Sequence, residues 1–270
     1  MSAFIQHAET FLASFGVEHT VEPPFVHFAQ RRLSFHLAAL QPVPYPALFQ
    51  DLSIDYEQRG IRLIHLWEDV YTLKTNIVQN RICALMGESI RIFARNTEVR
   101  QIDQSQLNNF FKVHHLQGST QAKYKYGLFH KEQLVAAASF SAGRPMMRNG
   151  KNCQSYELIR FANLSGYTVT GGLSKLLSAF INEVQPDDIM TYADRDWSLG
   201  NSYEQLGFSF VENTPPQAFL LNPQDMIRYY PHRLPEGCNS EELRAKGYIT
   251  IYNAGNKKYL SLQNNLKTFL

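Results

Sequence analysis

The amino-acid sequence predicts an α/β protein with two domains. Apolar residues at helical spacing alternate with short apolar strands from the N-terminus to about residue 211, the pattern of a sheet covered by helices. Hydrophobic residues make up 44% of the 270 residues and charged residues 19%, which is typical of a globular protein with a sizeable core. One helix opens directly at a glycine pair, Gly171-Gly172, after a strand.

The first domain is predicted to span residues 1–95. The predicted elements are a helix over 3–15, strands over 25–29 and 32–40, a helix over 47–59, a strand over 61–67 and a helix over 72–87. Pro23-Pro24 separates the first helix from the strands, and Gly87 closes the last helix. These elements form a small α/β unit, which ends between residues 87 and 95.

The second domain is predicted to span residues 96–270. A strand over 90–95 leads into a helix over 105–113, two strands within 125–142, a strand over 156–164, a helix over 174–184, a strand over 187–194, a helix over 198–207 and a strand from 208. The tail over 222–270 mixes polar and aromatic residues and is predicted to be a C-terminal extension.

Composition limits the function classes. The formal net charge of +2 gives no bulk basic signal, so a nucleic-acid footprint would have to be a local patch. The three cysteines are far apart and fit neither a disulfide framework nor a zinc site, which favours a reducing cytoplasm. The N-terminus lacks a basic segment followed by an apolar one, and no apolar run approaches the ~20 residues of a membrane helix. We expect a cytoplasmic protein with no membrane partner; the oligomeric state stays open.

The segment around Gly171 contains the strongest functional signal. A helix N-terminus exposes unpaired N–H groups, and glycines beside it let the backbone approach a pyrophosphate. Ser174 could cap the helix or donate a hydrogen bond, and Lys175 adds positive charge. The alternative is a glycine turn that only lets the helix pack close to the sheet. Taken alone, the residues favour this alternative.

The downstream residues change that balance. The order of strand, glycine-turn helix, strand, short helix with Tyr203, Gly207-Phe208 and strand resembles the GNAT acetyltransferase superfamily over residues 125–215. The resemblance implies that the turn binds the pyrophosphate of an acyl-CoA and that Tyr203 protonates the departing thiolate. The implied cofactor-binding residues are Val169, Gly171, Gly172, Ser174 and Lys175. The usual Gln or Arg before the glycines is absent, since the turn reads Thr168-Val169-Thr170-Gly171-Gly172-Leu173-Ser174.

Other polar residues lie near the expected cleft. Glu157 and Arg160 are predicted to face opposite sides of their strand because their separation is odd. A charge such as Arg160 within an apolar strand needs a partner or a ligand. Asp194 ends a strand, where it could act as a base, but a capping or ion-pairing role is favoured. His114-His115 without a third ligand is weak evidence for metal, and no metal cofactor is expected.

Longer collinear stretches resemble a wider group. GIRLIHLWEDVYTLKTNIVQNRI (60–82), YELIRFAN (156–163), VTGGLSKLL (169–177) and YADRDWSLGNSYEQLGF (192–208) are similar to phage-type homing-endonuclease-like proteins. These join a restriction-endonuclease-like, very-short-patch-repair-like domain to a GNAT-like domain. The resemblance implies carboxylates on the strands over 25–29 and 32–40, and neither has one. Glu68 and Asp69 remain after the third strand, so we interpret the nuclease domain as degenerate.

Two functions follow from these observations. The favoured one is a GNAT-like acyltransferase that uses acetyl-CoA or another acyl-CoA on a nucleic acid or nucleotide-containing acceptor, with Tyr203, Asp194 and Arg160 in the catalytic cleft. The alternative is a non-catalytic nucleic-acid-binding protein derived from a homing endonuclease. Its predicted phosphate contacts are Arg31, Arg32, Arg144, Arg148, Lys151, Lys257 and Lys258. An active nuclease is disfavoured.

Overall fold

The computed structural model describes residues 2–148, 150–234 and 236–262, which form two compact units. The first unit contains the chain up to Thr75, Ala193–Asn201 and Glu212–Lys257, and the second contains the remainder. The sequence predicted two continuous domains divided at residue 95. The units instead interleave along the chain, which enters and leaves each of them more than once.

Helices and strands alternate along the described chain. The helices are α1 (Ala3–Ala13), α2 (Leu48–Gln58), α3 (Glu68–Leu73), α4 (Thr75–Leu85), α5 (Gln104–His114), α6 (Gly172–Val184), α7 (Asn201–Gln205) and α8 (Ser240–Ala245). The strands are β1 (Thr20–Glu22), β2 (Phe25–Phe28), β3 (Leu33–Ala38), β4 (Arg62–Trp67), β5 (Ile90–Phe93), β6 (Glu98–Gln101), β7 (Tyr124–His130), β8 (Gln133–Phe140), β9 (Arg144–Arg148), β10 (Lys151–Asn163), β11 (Tyr167–Thr170), β12 (Asp188–Asp194), β13 (Ser209–Asn213), β14 (Ala218–Leu221), β15 (Arg228–Tyr229), β16 (Ile249–Tyr252) and β17 (Asn256–Leu262). The predicted α/β class is confirmed.

The first unit is built on a four-stranded sheet in the order β1-β2-β3-β4. β1, β2 and β3 pair antiparallel, whereas β3 and β4 run parallel from Leu33↔Arg62 to Ala38↔Trp67. All six residues of β3 are buried, which explains why its sequence is mostly apolar. A second sheet, β15-β14-β16, contributes Phe219 to the hydrophobic cluster that contains Trp67.

The second unit contains a mixed sheet in the order β13-β17-β12-β10-β8-β7-β6, with β9 paired to β10. β10 runs parallel to β12 and antiparallel to β8. A small parallel pair, β11 and β5, lies outside this sheet. The predicted order of strand, glycine-turn helix, strand, short helix and strand is therefore observed as β10, α6, β12, α7 and β13, with β11 inserted before α6.

Helices of the second unit pack on both faces of its sheet. On one face, Leu107 of α5 joins a core cluster with Ala137 of β8 and Ala162 of β10. On the other face, Phe180 of α6 stacks on Phe140 of β8 with ring centroids 4.1 Å apart. Ala137 and Phe140 are three residues apart in a regular part of β8, so their side chains point to opposite faces.

Several sequence predictions need correction. The helix predicted over 72–87 is two helices, α3 and α4, separated at Lys74. Glu68 and Asp69 follow β4, as predicted, and they begin α3. No strand was predicted at Arg144–Arg148, which form β9 and pair with β10. Among the described residues, no helix combines the length and apolar character needed to cross a bilayer.

Candidate functional site

The glycine turn before α6 has a separate requirement at each of its two glycines. Gly171 is the N-cap residue with φ 77° and ψ 5°, a left-handed conformation that favours glycine. Gly172 is buried, and a Cβ there would lie 3.0 Å from Cβ of Val169 and 3.3 Å from Cδ1 of Leu128. Close packing of the helix on the unit therefore accounts for Gly172, as the alternative interpretation of the sequence proposed.

The first turn of α6 nevertheless exposes hydrogen-bond donors. The first intrahelical bond runs from Lys175 N to Gly171 O (3.0 Å), and the N-cap has no side-chain bond. Within the described chain, no protein acceptor bonds the amides of Gly172, Leu173 or Ser174. An α-helix N-terminus of this kind attracts anions through its N–H groups and its partial positive charge. With 13 residues, α6 is long enough for its peptide dipoles to add up to such a charge.

Lys175 lies at this helix start but is already engaged. Its ammonium donates to the carbonyl oxygens of Ala94 (2.9 Å) and Thr97, which flank the 3-10 turn Ala94–Asn96. Thr97 also donates its hydroxyl to Ala94 O (2.7 Å). The predicted contact of Lys175 with a phosphate thus competes with two bonds inside the protein.

The central strands β10 and β12 of the same unit pair over a short stretch and then separate. Their parallel pairing runs from Ser155↔Asp188 to Leu158↔Thr191 and extends no further. Beyond Leu158, β10 continues to Asn163 paired only with β8. The Thr191 hydroxyl donates to Leu158 O (3.0 Å), so it marks the last point where the two strands meet. We call the opening beyond this pair the notch.

Tyr203 of α7 lies next to Thr191. Burial raises the pKa of the Tyr203 phenol, and a hydrogen bond with the Thr191 side chain and the positive charge of Arg81 oppose this in part. The ring also contacts Phe208 and Tyr259, with centroids 5.8 and 5.6 Å away. Because the phenol keeps its proton well above neutral pH, it can donate one at the notch.

Glu157 and Arg160 point to the same face of β10, which corrects the sequence prediction. The pairing of β10 with β8 shifts register between Leu158 and Arg160, so β10 carries one extra residue. Arg160 pairs with Ser139 of β8, whereas the Ser141 amide, just after β8, donates to Glu157 O. Ser139 and Ser141 are two residues apart and point to the same face. A β-bulge therefore reverses the alternation on which the prediction relied.

The two residues differ in their surroundings. Arg160 donates to the carbonyl oxygens of Gly118 (2.8 Å) and Ser119, in the loop after α5, so it anchors that loop. Glu157 is half-buried, and burial raises the pKa of its carboxyl group, with a smaller opposing effect from Arg144. A carboxylate with a raised pKa beside the notch is suited to accept a proton. No local pattern in the sequence distinguishes Glu157, because burial in the folded chain decides the pKa of its carboxyl group.

The remaining predicted residues bond locally. Asp194 accepts the amide of Asp196 (3.0 Å) and belongs to the first unit, whereas Tyr203 belongs to the second. His114 accepts the amide of Ser165 (3.2 Å), and His115 accepts that of Gln117 (3.1 Å). Among the described residues, no group of three His, Cys, Asp or Glu side chains is arranged to hold a metal.

In the first unit, the two carboxylates after β4 are bound within the protein. Glu68 accepts the amide of Leu40 (2.9 Å). Asp69 is buried and accepts two bonds from Arg228, at 2.5 and 2.7 Å. The Arg228 guanidinium lies over the rings of Trp67 and Phe219 at 5.0 and 5.3 Å. This network occupies the residues that the resemblance placed at a nuclease centre.

Two of the seven predicted phosphate contacts are also used internally. Arg148 pairs with the buried Asp188, and the buried Lys257 pairs with Glu57. These bonds reduce the basic surface on which the nucleic-acid-binding alternative relied.

No protein-family model matches the chain, and no curated protein matches it. Solved structures similar to it include an acetyltransferase from Bacillus subtilis in complex with CoA (10% identity, 62% of this chain and 98% of that one, TM-score 0.36). A GNAT family acetyltransferase from Elizabethkingia anophelis with acetyl-CoA bound is 10% identical, over 62% of this chain and 98% of that one, with a TM-score of 0.37. An IAA acetyltransferase from Bacillus cereus is 9% identical, over 62% of this chain and 99% of that one, with a TM-score of 0.36. Because these TM-scores are below 0.5, the interpretation of the site depends on the chain's own topology and contacts.

Proposed function

We propose that the second unit is a GNAT-like acyltransferase that takes its acyl group from acetyl-CoA or another acyl-CoA. The observation that supports this most directly is the separation of β10 and β12 at Leu158–Thr191, with the Tyr203 phenol at the Thr191 hydroxyl. A notch between parallel strands gives a thioester and an amine room to meet, and Tyr203 places a proton donor there.

The donor's pyrophosphate would bind the first turn of α6. The amides of Gly172, Leu173 and Ser174 are the donors, and exposed Gly171 lets the phosphates approach without a Cβ. Val169 lies in β11, the strand before this turn, and Lys175 would add charge only if one of its bonds to Ala94 or Thr97 were released.

In the reaction, the acceptor amine attacks the thioester carbonyl carbon and the C–S bond breaks. Glu157 would take the proton that the amine loses, since its raised pKa makes it a stronger base than an exposed carboxylate. Tyr203 would give its proton to the departing thiolate. Arg160 acts by holding the loop at Gly118, and we assign no step to Asp194.

The acceptor class is inferred from the resemblance to phage-type proteins. A nucleic acid or nucleotide-containing acceptor offers the exocyclic amines that such a site would acylate. No contact of the second unit identifies one base or sugar over another.

Calorimetry with acetyl-CoA tests the donor. Ser174→Asp places a negative charge in the first turn of α6, which stabilises the helix but repels a pyrophosphate. We expect acetyl-CoA affinity to fall about tenfold or more while the free energy of unfolding holds or rises. Asn182→Asp is the matched control, because it adds the same charge to an exposed position near the other end of α6; its affinity should match that of the unchanged protein.

Equal loss of affinity in both variants would contradict binding at the helix start. An absence of acetyl-CoA binding, together with a salt-dependent nucleic-acid shift, would instead support the non-catalytic nucleic-acid-binding function. Transfer is tested by thiol release and by an acetyl mass gain on adenine nucleotides and oligonucleotides.

A further inference from the structure

A pocket of about 430 Å³ lies in the first unit, where β1, β2, β3 and the connection from α2 to β4 come together. Its lining residues are Thr20, Glu22, His27, Phe28, Ala29, Arg32, Leu33, Ser34, Arg59 and Ile61. All of them belong to the first unit, and neither the proposed acyl transfer nor the Asp69–Arg228 network uses them. The volume is within the range of small-molecule sites.

Two guanidinium groups enter this pocket from separate connections. Arg32 follows the 3-10 turn Ala29–Arg31 with φ 48°, and its carbonyl accepts the amide of Arg62 (2.8 Å). Gly60, with φ 69°, leaves room for the Arg32 side chain, because a Cβ at Gly60 would lie 3.3 Å from Nη1 of Arg32. Arg59 caps α2 one residue earlier in the chain. The backbone therefore fixes both cations at one wall.

Two hydrogen-bonding side chains, His27 and Ser34, line the pocket beside these cations. Nδ1 of His27 is 2.9 Å from the Ser34 hydroxyl, and Ser34 is only 2% exposed. The one acidic lining group, Glu22, has a 77% exposed side chain whose carboxylate is 3.9 Å from Nε2 of His27. Arg59 also pairs with Asp55 outside the lining at 3.2 Å. The lining itself therefore carries two guanidinium groups and one largely exposed carboxylate.

The opposite side of the pocket is apolar. Phe28 and Leu33 are 0% and 5% exposed, and the half-buried Ile61 continues this surface. The pocket thus combines a basic wall with an apolar floor. Guanidinium groups match the oxygens of a phosphate, and two of them favour a doubly charged group over a single carboxylate.

We propose that this pocket binds a phosphate monoester with a small organic body attached. Arg32 and Arg59 contact the phosphate oxygens, the Ser34–His27 pair supplies hydrogen bonds, and the half-buried Ile61 contacts the body. A free nucleotide and the phosphorylated end of a nucleic acid share this chemistry. The proposal is independent of the acyl-CoA site.

Calorimetry on the full chain with adenosine monophosphate, adenosine and inorganic phosphate tests the proposal. We expect saturable binding of the monophosphate that is about ten-fold to a hundred-fold weaker in Arg32→Met and in Arg59→Met. Arg233→Met is the control, since Arg233 is exposed in the same unit and absent from the lining; the affinity of this variant should be unchanged. No monophosphate binding, or equal weakening in all three variants, would overturn the proposal.

Glu22→Gln keeps the test independent of folding defects. Removal of the one lining carboxylate should tighten monophosphate binding several-fold, a gain that a misfolded variant cannot produce. Unchanged or weaker binding in this variant would count against the site. An oligonucleotide with a 5′-phosphate that binds more tightly than the monophosphate would identify a nucleic-acid end as the source. Equal binding of the unphosphorylated oligonucleotide would refute the monoester.

Discussion

Each of the two larger sheets contains a pair of parallel strands, β3–β4 in the first unit and β10–β12 in the second, and these two pairs end differently. In the first unit, β3 and β4 stay paired along all six residues of each strand, and the carboxylates that follow are bound by Leu40 and Arg228. In the second unit, β10 and β12 pair over four residues and then separate, next to a tyrosine with a raised pKa. The same local topology thus gives a closed, internally satisfied end in one unit and an open end in the other. Polar residues at strand ends indicate a site only when the strands leave space beside them.

The largest effect on stability is expected from the Asp69–Arg228 ion pair, which closes the end of β4. Asp69→Asn should lower the free energy of unfolding by about 3–5 kcal/mol, because it leaves the Arg228 guanidinium without its buried counter-charge. Chemical denaturation measures this. Asp55→Asn breaks the exposed pair with Arg59 and should cost less than about 1 kcal/mol.

A second variant separates the ion pair from simple packing. Asp69→Asn combined with Arg228→Met should recover part of the loss, since Trp67 and Phe219 then contact an apolar side chain. If the single variant is as stable as the original chain, the β4 end is not closed by this pair.

A pH effect is expected from the paired histidines of the same sheet. His36 lies 3.0 Å from His65 between their Nδ1 atoms, and burial lowers the pKa of His36 to about 4. The pKa of His36 is lower in the folded chain than the value of 6.5 in the unfolded chain. The contribution of neutral His36 to the free energy of unfolding is therefore complete above pH 6.5, and it is lost as the pH falls from 6.5 through 4. The loss is about 3 kcal/mol. His36→Asn should flatten this part of the stability curve, whereas exposed His7→Asn should not.

The open end is tested by Tyr203→Phe. Loss of the proton donor should reduce thiol release from acetyl-CoA about 100-fold while the affinity for acetyl-CoA stays the same. The raised pKa also means that the unchanged protein should keep its rate up to a higher pH than an ordinary tyrosine would allow. A Tyr203→Phe protein with full activity would remove Tyr203 from the mechanism, and weaker acetyl-CoA binding would instead indicate a packing defect.

The smallest expected effect concerns the start of α6. Gly172→Ala should destabilise the chain by about 1–3 kcal/mol, because the new Cβ would crowd Val169 and Leu128. At an uncrowded helical position, replacing glycine by alanine stabilises a protein by about 1 kcal/mol. The sign of the change in the free energy of unfolding therefore shows whether Val169 and Leu128 lie as close to Gly172 as described. Circular dichroism during thermal unfolding gives that sign.

Local patterns predicted much of the fold. Apolar spacing located α1, α2, α5 and the strands β2, β3, β4, β7, β8 and β12 to within a few residues. The start of α6 was missed by two residues because Gly172 and Leu173 precede the periodic stretch. β1 was not predicted, since its three residues are all exposed and show no alternation.

The sites were predicted less well, for physical reasons. The bulge before Arg160 leaves no mark on the alternation of apolar residues, so the shared face of Glu157 and Arg160 could not be inferred. Asp69 and Arg228 are 159 positions apart, a pairing that no local pattern indicates. The sequence left two roles open for the glycines, anion binding and close packing. At Gly172 the structure shows close packing against Val169 and Leu128.

The interleaving of the two units has a consequence for how such a protein is inherited. Because residues 193–201 and 212–257 return to the first unit after the second has begun, no single cut in the gene yields one intact unit. Either half of such a cut would lack strands that its own sheet or core requires. Selection therefore acts on both units together, and a unit whose original activity had decayed would still be retained for the folding of the whole chain.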